Sequence, residues 1–298
     1  MSRLIIICIL ISFAKLAVAW NALGHKLIAQ IAYDNLDTAT KKRCALYNRT
    51  LMLTARASGT RNNAVVVLRP NHFPDMQEFP ANIFYKKLSF INSAVWLDTL
   101  YSKNLSSLKS LHYIDLPWHN IAKPNPINAV WAVRILRVRY LDSKIATTDK
   151  GIAVRMLLHI IGDLHQPMHT ITQINHRYPQ GDKGGNEFLL AKNPVANQLH
   201  AYWDRGGGIL INWPSTNMAA IKRQAHILEH KYPCVINTQD LDPMHWAQES
   251  HALAAAVAYT KLSVRYPDST YQQLAQQISE KRIALAGCRL AAVLIGLS

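Results

Sequence analysis

The chain is short of acid: 18 Asp+Glu stand against 33 Lys+Arg, a formal net charge of +15. Such a balance fits a polyanionic partner, nucleic acid or an anionic membrane surface, with a basic surface kept only for solubility as the plain alternative. Glycine is sparse, 12 residues in 298, which argues against glycine-rich repeats and many tight hairpins. Beyond the first twenty residues no apolar run is long enough to cross a bilayer as a helix. Cysteine is limited to Cys8, Cys44, Cys234 and Cys288, scattered without metal-ligand spacing. With 49% apolar and 17% charged residues the chain is not of the disordered class, and it is long enough for one large domain or two small ones.

The first nineteen residues read as a secretory signal. Arg3 supplies the positive start, Leu4–Ala14 an apolar stretch too short to span a membrane, and Ala17-Val18-Ala19 the small-residue exit. Cleavage after Ala19 leaves Trp20 as the first mature residue and removes Cys8. The expected location is periplasmic or extracellular, where two of the remaining three cysteines can pair; the sequence does not say which. Asn48-Arg49-Thr50 and Asn104-Leu105-Ser106 are glycosylation sequons.

Residues 20–298 read as one all-α domain, with no repeat, linker or break in composition. Helical spacing predicts helices near 22–36, 88–103, 127–142, 195–205, 214–231, 244–264 and 269–295. A long apolar helix is expected from about 150 to 165, capped by Asp149 and ended before Pro167. Ala64–Leu68 is the one clear β-branched run, a small hairpin or loop, and Tyr178–Glu187, with Pro179 and three glycines, reads as a loop.

Histidine is abundant, at 13. His159/Asp163 and His200/Asp204 are i, i+4 pairs, each on one helix face, and His169 follows the first pair past Pro167. A lone histidine on an apolar helix is usually a hydrogen-bonded core residue. Two such pairs with a bridging histidine favour metal, and imidazole with carboxylate suits zinc better than calcium or magnesium, with iron or manganese also admitted.

These residues carry a resemblance. Trp20-Asn21-Ala22-Leu23-Gly24-His25, Trp96-x-Asp98, Leu111-His112-Tyr113-Ile114-Asp115 and His159-x-x-Gly162-Asp163-x-His165-Gln166-Pro167-x-His169 are similar to motifs of the zinc-dependent single-strand nucleases of the S1/P1 type. So are Gly184-Gly185-Asn186, Asn197-x-Leu199-His200-x-x-Trp203-Asp204 and Ala286-Gly287-x-Arg289-Leu290-Ala291. Bacterial zinc phospholipase C is a relative of that family. The resemblance implies a mainly helical domain with a cleft holding three zinc ions. One ion would take Asp98, His112, His159 and Asp163. A second would take His169, His200 and Asp204. The third would take His25, Asp163, and the free amine and carbonyl oxygen of Trp20. Asp163 would bridge two ions and serve catalysis by orienting the nucleophile.

The implied reaction is hydrolysis of the P–O3′ bond of single-stranded RNA or DNA and of 3′-mononucleotides, leaving 5′-phosphates. Tyr113 would stack on a base, Asp115 would accept from base edges, and Gly184, Gly185 and Asn186 would approach the nucleotide. Tyr101 stands where the family often has a basic residue, and Lys103 is the substitute phosphate contact. His165 reads as structural, and His72 with Asp75 as a surface-loop feature. No stable protein partner is implied, so a monomer is expected. The enzymatic rival is a zinc phospholipase C acting on phosphatidylcholine. The short Trp20-x4-His25 spacing and an Asp rather than a Glu at 204 favour the nuclease. A binding protein with a decayed site is the other rival, and the filled ligand positions argue against it.

Overall fold

The computed structural model describes residues 20–58, 66–103, 105–118, 121–211, 217–235 and 240–297. The leader therefore lies outside the described residues, as do Asn104 and the Ala64–Val65 half of the β-branched run. The chain is mainly helical: α1 (Ala22–Asp34), α2 (Thr38–Ala57), α3 (Phe90–Ser93), α4 (Ala129–Leu141), α5 (Thr147–Leu164), α6 (Leu199–Asp204), α7 (Met218–Lys231), α8 (Pro243–Leu253) and α9 (Ser269–Ile295). Strand structure is limited among the described residues to a two-residue parallel pair, β1 (Pro117–Trp118) on β2 (Thr172–Gln173), and isolated bridges such as Arg69 with His72.

The long apolar helix is the centre. Every residue of α5 from Asp149 to Leu164 is buried, as expected for a helix that is apolar nearly all round. It packs against α1, α2, α4, α8 and α9. Among the core residues of this helix Arg155, His159 and Asp163 recur at four-residue intervals, so polar groups enter the middle of the molecule along one helix. α1 crosses α9 closely at Gly287, where a Cβ would lie 2.6 Å from Ile31 Cγ2 and 3.0 Å from the Ile28 carbonyl oxygen.

Several expectations need correction. Asp149 does not cap α5; the helix starts at Thr147, and the Asp149 carboxylate instead accepts from the Met76 amide at 2.7 Å. The predicted 88–103 helix breaks into α3 and a 3₁₀ segment, Leu97–Lys103. Hydroxyls of Ser93 and Thr99 take the carbonyls of Ser89 and Trp96, a local competition that interrupts helices. Of 244–264, α8 covers only the first part and widens into a π-turn, Ala254–Tyr259, where the Thr260 hydroxyl takes the Ala255 carbonyl at 2.5 Å. α6 starts four residues later than expected because Asn193 caps a turn by accepting from Val195 and Ala196 amides. α2 was not expected at all; Asp37 caps it, and its buried face carries Cys44, Leu51 and Ala55.

Cys234 pairs with Cys288, and Cys44 is free and buried. The sequon residue Asn48 is committed inside the fold: its amide donates to Leu88 O at 2.7 Å and its oxygen accepts from Arg155 Nε at 2.7 Å.

The C-terminal end of α5 is held by an ionic knot. Arg289 grips Glu249 with both Nη atoms at 2.7 and 2.8 Å and donates to His165 Nε2 at 3.0 Å. Arg282 bonds Glu249 at 2.8 Å and the His165 carbonyl at 3.1 Å, while Ser250 donates to the Leu164 carbonyl at 2.6 Å. Burial alone would raise the Glu249 carboxyl, but the two guanidiniums overcome it and hold it down at about 2. A depressed carboxyl stabilises the fold above its unfolded value of 4.5 and loses that contribution as pH falls towards about 2. Glu249→Gln should therefore lower the unfolding midpoint at pH 6, and its gap from the parent should shrink steadily between pH 4.5 and about 2. A gap independent of pH in denaturant titrations would contradict this role.

Candidate metal centre

Five stretches of chain deliver polar side chains to the C-terminal half of α5. α1 brings His25, the 3₁₀ segment Leu97–Lys103 brings Asp98, a second 3₁₀ segment (Ser106–His112) brings His112, the turn after α5 brings His169, and α6 brings His200 and Asp204. Three groups form: His25 with His159 and Asp163; Asp98 with His112 and His159; His169 with His200 and Asp204. The potential ligand atoms within each group lie within 4.8 Å of one another.

The distances are those of atoms around a shared ion. Asp163 Oδ1 lies 3.3 Å from His25 Nε2, and its Oδ2 lies 3.0 Å from His112 Nδ1 and 3.3 Å from His159 Nε2. Asp98 Oδ1 is 3.3 Å from His159 Nε2 and 3.9 Å from His112 Nδ1. Asp204 stands 3.6 and 3.7 Å from the Nε2 atoms of His169 and His200. Donors about 2.1 Å from one tetrahedral ion lie roughly 3.4 Å apart.

The protonation pattern tests the fit. His159, His169 and His200 each donate Nδ1–H to a carbonyl, of Ala94, His112 and Gly184, all at 2.7 Å. In neutral imidazole the other nitrogen, Nε2, then carries a lone pair. The Nε2 atoms of His169 and His200 face each other across 3.0 Å. Two lone pairs at that distance repel unless a cation lies between them. Burial holds His169 at about 4 and His200 below its usual value, so these rings are neutral. Both oxygens of Asp163 and both nitrogens of His25 are fully buried without a hydrogen-bond partner among the described residues. Such groups fit a divalent cation and fit little else.

Electrostatics agree. Burial, then His159, drives His25 and His112 well below the ordinary histidine value, leaving neutral ligands. Burial pulls His159 down too, yet the Asp163 and Asp98 carboxylates raise it to about 9. Burial pushes Asp163 far up and Asp204 to about 7. The acids call for positive charge among them, which a metal ion would supply.

Trp20 is fully buried beside the centre. Its indole donates to the carbonyl of Gly162 at 3.0 Å, and the Asn21 amide bonds the Asp204 carbonyl at 3.0 Å. Gln166, unassigned on sequence grounds, is fully buried and donates to Asp204 Oδ1 at 2.5 Å, orienting that carboxylate. The sequence showed it only as a member of the His159–His169 motif, with no role of its own. His165 faces the Arg289 knot, and His72 pairs with Glu78 at 2.8 Å on the surface while Asp75 pairs with Arg139.

Beside His169 the segment Tyr113–Asp115 is stitched in by Ile114 N to His169 O at 2.9 Å. Tyr113 is half-buried. Burial, then the Asp182 carboxylate, raises Asp115 to about 6. Asp182 itself accepts from Tyr259 Oη at 2.6 Å, and Tyr259 stacks on Trp118 at 5.0 Å between centroids, two aromatics that no sequence motif marked. The side chain of Lys103 lies outside the described residues.

The model of the S1/P1 nuclease family matches residues 20–297. The chain belongs to the S1/P1 nuclease family. It is thereby a hydrolase acting on nucleic acid, and its three His/Asp groups fit a metal-dependent enzyme. No curated protein matches the chain.

Gly184 serves this centre through its backbone. Its carbonyl orients His200, its φ is +60°, and a Cβ would stand 2.3 Å from the Met168 carbonyl oxygen and 3.3 Å from His200 Nδ1. Gly185, at φ +80°, accepts from the His200 amide. Asn186 turns its amide back to Lys183 O at 2.8 Å. Gly184→Ala should cost about 2 kcal/mol or more in stability and lower the bound metal by about one ion per chain. Calorimetric unfolding and metal analysis check it, and an unchanged melting point with full metal content would contradict it.

Proposed function

We propose that this enzyme is a zinc-dependent phosphoesterase that hydrolyses the P–O3′ bond of single-stranded RNA and DNA and of 3′-mononucleotides, leaving 5′-phosphates on the polymers. The observation that carries the reading is the facing pair of histidine lone pairs beside two further groups that share His159, with Asp163 within 3.3 Å of His25, His112 and His159. Asp98, His112, His159 and Asp163 would hold one ion, His169, His200 and Asp204 a second, and His25, Asp163 and the amine and carbonyl of Trp20 a third. Zinc bound there supplies Lewis acidity and makes water acidic near neutral pH.

The protein's own groups do the rest. Asp163 directs one oxygen to the His25 side and the other to the His112 and His159 side, so it fixes the spacing of the two ligand sets and faces the attacking water. Gln166 and the Gly184 carbonyl hold Asp204 and His200 in place. Tyr113 offers a stacking surface, worth roughly 1–3 kcal/mol per base and tolerant of any base. Asp115 would accept from base edges once ionised, Asn186 would approach the nucleotide, and Lys103 is proposed as a phosphate contact. Gly184 and Gly185 contribute through His200. The net charge left after loss of Arg3 and Lys15 with the leader, 15 − 2 = +13, attracts a polyanion.

Residues 1–19 are proposed as a cleaved leader and 20–298 as the mature domain, a monomer, acting in the periplasm or outside the cell. The Cys234–Cys288 disulfide supports an oxidising compartment. No described helix is long and apolar enough to cross a membrane.

Purified mature protein should cleave single-stranded RNA and DNA and release phosphate from 3′-AMP. Choline phosphate from lecithin vesicles with neither strand cut would overturn the reading in favour of a phospholipase. Asp163→Ala should lose two ions per chain and essentially all turnover, whereas Asp204→Ala should lose one; equal metal content in both variants would refute the shared role of Asp163.

The N-terminus gives a separate test. Ligation by Trp20 needs a free α-amine, with a pKa near about 8, and one added residue turns it into an amide nitrogen without an available lone pair. A chain beginning Gly-Trp20 should fold yet retain about two ions and little activity. Three ions and full activity in the extended chain would exclude Trp20 as a ligand.

A further inference from the structure

A cavity of about 1100 Å³ lies between α1, α2, α5, the segment 87–93 and the start of α7. No member of the three His/Asp groups lines it, so it is separate from the metal centre. Met52, Leu53, Leu88 and Phe90 supply apolar wall. Tyr33 also lines it, 37% exposed, with its ring packed on Phe90 at 5.4 Å between centroids.

Cations surround this apolar surface: Lys41, Arg49 and Arg56 of α2, Lys87, and Lys222 of α7. The one acid among the lining residues, Asp34, already accepts from Gln30 at 2.9 Å. Lys41 Nζ stands over the Tyr33 ring at 4.9 Å, and Arg56 donates to the Tyr85 carbonyl at 2.8 and 3.1 Å. Arg49, Lys87 and Lys222 are exposed and make no ion pair among the described residues. From Lys41 to Arg56 the helix advances roughly 22 Å, at 1.5 Å per residue, and Lys87 and Lys222 come from separate elements. Cations spread so widely match a chain of phosphates better than one anionic head group. A flat lipid surface would meet the rim and leave the apolar wall behind it uncovered.

We infer that this cavity is a second binding groove for single-stranded nucleic acid, in which Arg49, Lys87 and Lys222 hold phosphates while Tyr33, Phe90 and the aliphatic wall hold bases. A basic groove with rings for the bases is how strands are bound without regard to sequence. The inference rests on the proposed single-strand activity and adds a contact away from the metals. Such a contact strengthens the hold on a polymer and leaves a mononucleotide untouched.

The test uses metal-loaded mature protein and a fluorescent thirty-nucleotide oligothymidylate, with stopped-flow anisotropy reading binding before the strand is cut. Arg49→Gln combined with Lys222→Gln should weaken strand binding at least about fivefold. It should also reduce the slope of log affinity against log salt by about 1.4, at about 0.7 per phosphate contact. Metal content and the KM for 3′-AMP should stay at the parent values. Lys144→Gln combined with Lys281→Gln removes the same charge from exposed positions outside the cavity, and should change strand affinity less than about twofold. Should the groove variant fail to fold, its two single variants decide, each lowering the slope by about 0.7. A strand held by the folded groove variant as tightly as by the parent overturns the proposal. So does an equal loss in the Lys144 and Lys281 variant, because the charge then acts diffusely. Loss of binding to phosphatidylglycerol vesicles with strand binding intact overturns it in favour of a lipid surface. Failure of the parent to hydrolyse both the strand and 3′-AMP counts against the proposed reaction alone, since anisotropy reads the groove without turnover.

Discussion

A carboxylate with no hydrogen-bond donor among the described residues sits in the middle of this molecule. Asp163 is fully buried, and imidazole nitrogens of His25, His112 and His159 face it at 3.0 to 3.3 Å. An uncompensated buried carboxylate costs several kcal/mol, after relaxation, in a protein interior. The Nδ1–H of His159 is spent on the Ala94 carbonyl, so its facing nitrogen is a donor of electrons rather than of a proton when the ring is neutral. A cation that several residues share would compensate it. That requirement explains why separate stretches of chain converge on one helix. It also makes metal affinity part of folding stability, because the ligand set does not exist in the unfolded chain.

Everything around the carboxylate restricts its motion. The Glu249, Arg282 and Arg289 knot ties α8 and α9 to the end of α5, one residue beyond Leu164. Trp20 closes over Gly162, and the amide after it clasps Asp204. The small cluster of Met168, Leu199, Trp203 and Tyr271 holds the His169 and His200 side as a second core, distinct from the one that surrounds α5. The two ligand sets are therefore packed by different apolar clusters.

The sequence showed the helical class and α9 to the residue, because Asp268 caps it and the apolar pattern runs on to Ile295. The i, i+4 pairs marked His159, Asp163, His200 and Asp204, with His169 close by, since such pairs survive in any helix, whereas His25, Asp98 and His112 came only with the resemblance to the S1/P1 nucleases. The sequence hid whatever depends on partners distant along the chain. Asp149 looks like a cap until Met76 claims it. The stretch 88–103 has helical spacing, but Ser93 and Thr99 turn their hydroxyls onto the backbone. The outward face of α2 is polar and dilutes its apolar stripe, so helical spacing does not mark it. Gly184 has the look of a substrate-approach loop, and only the folded chain places its carbonyl on His200.

The central claim is that cations complete the ring of lone pairs around Asp163 and between His169 and His200. Anomalous diffraction from crystals of the mature protein, recorded on both sides of the zinc absorption edge, tests it most directly. The account predicts three peaks: one between His169, His200 and Asp204, and two flanking Asp163, on its His25 and its His112 sides. A map without peaks at these groups, from protein that hydrolyses single-stranded nucleic acid, would contradict it.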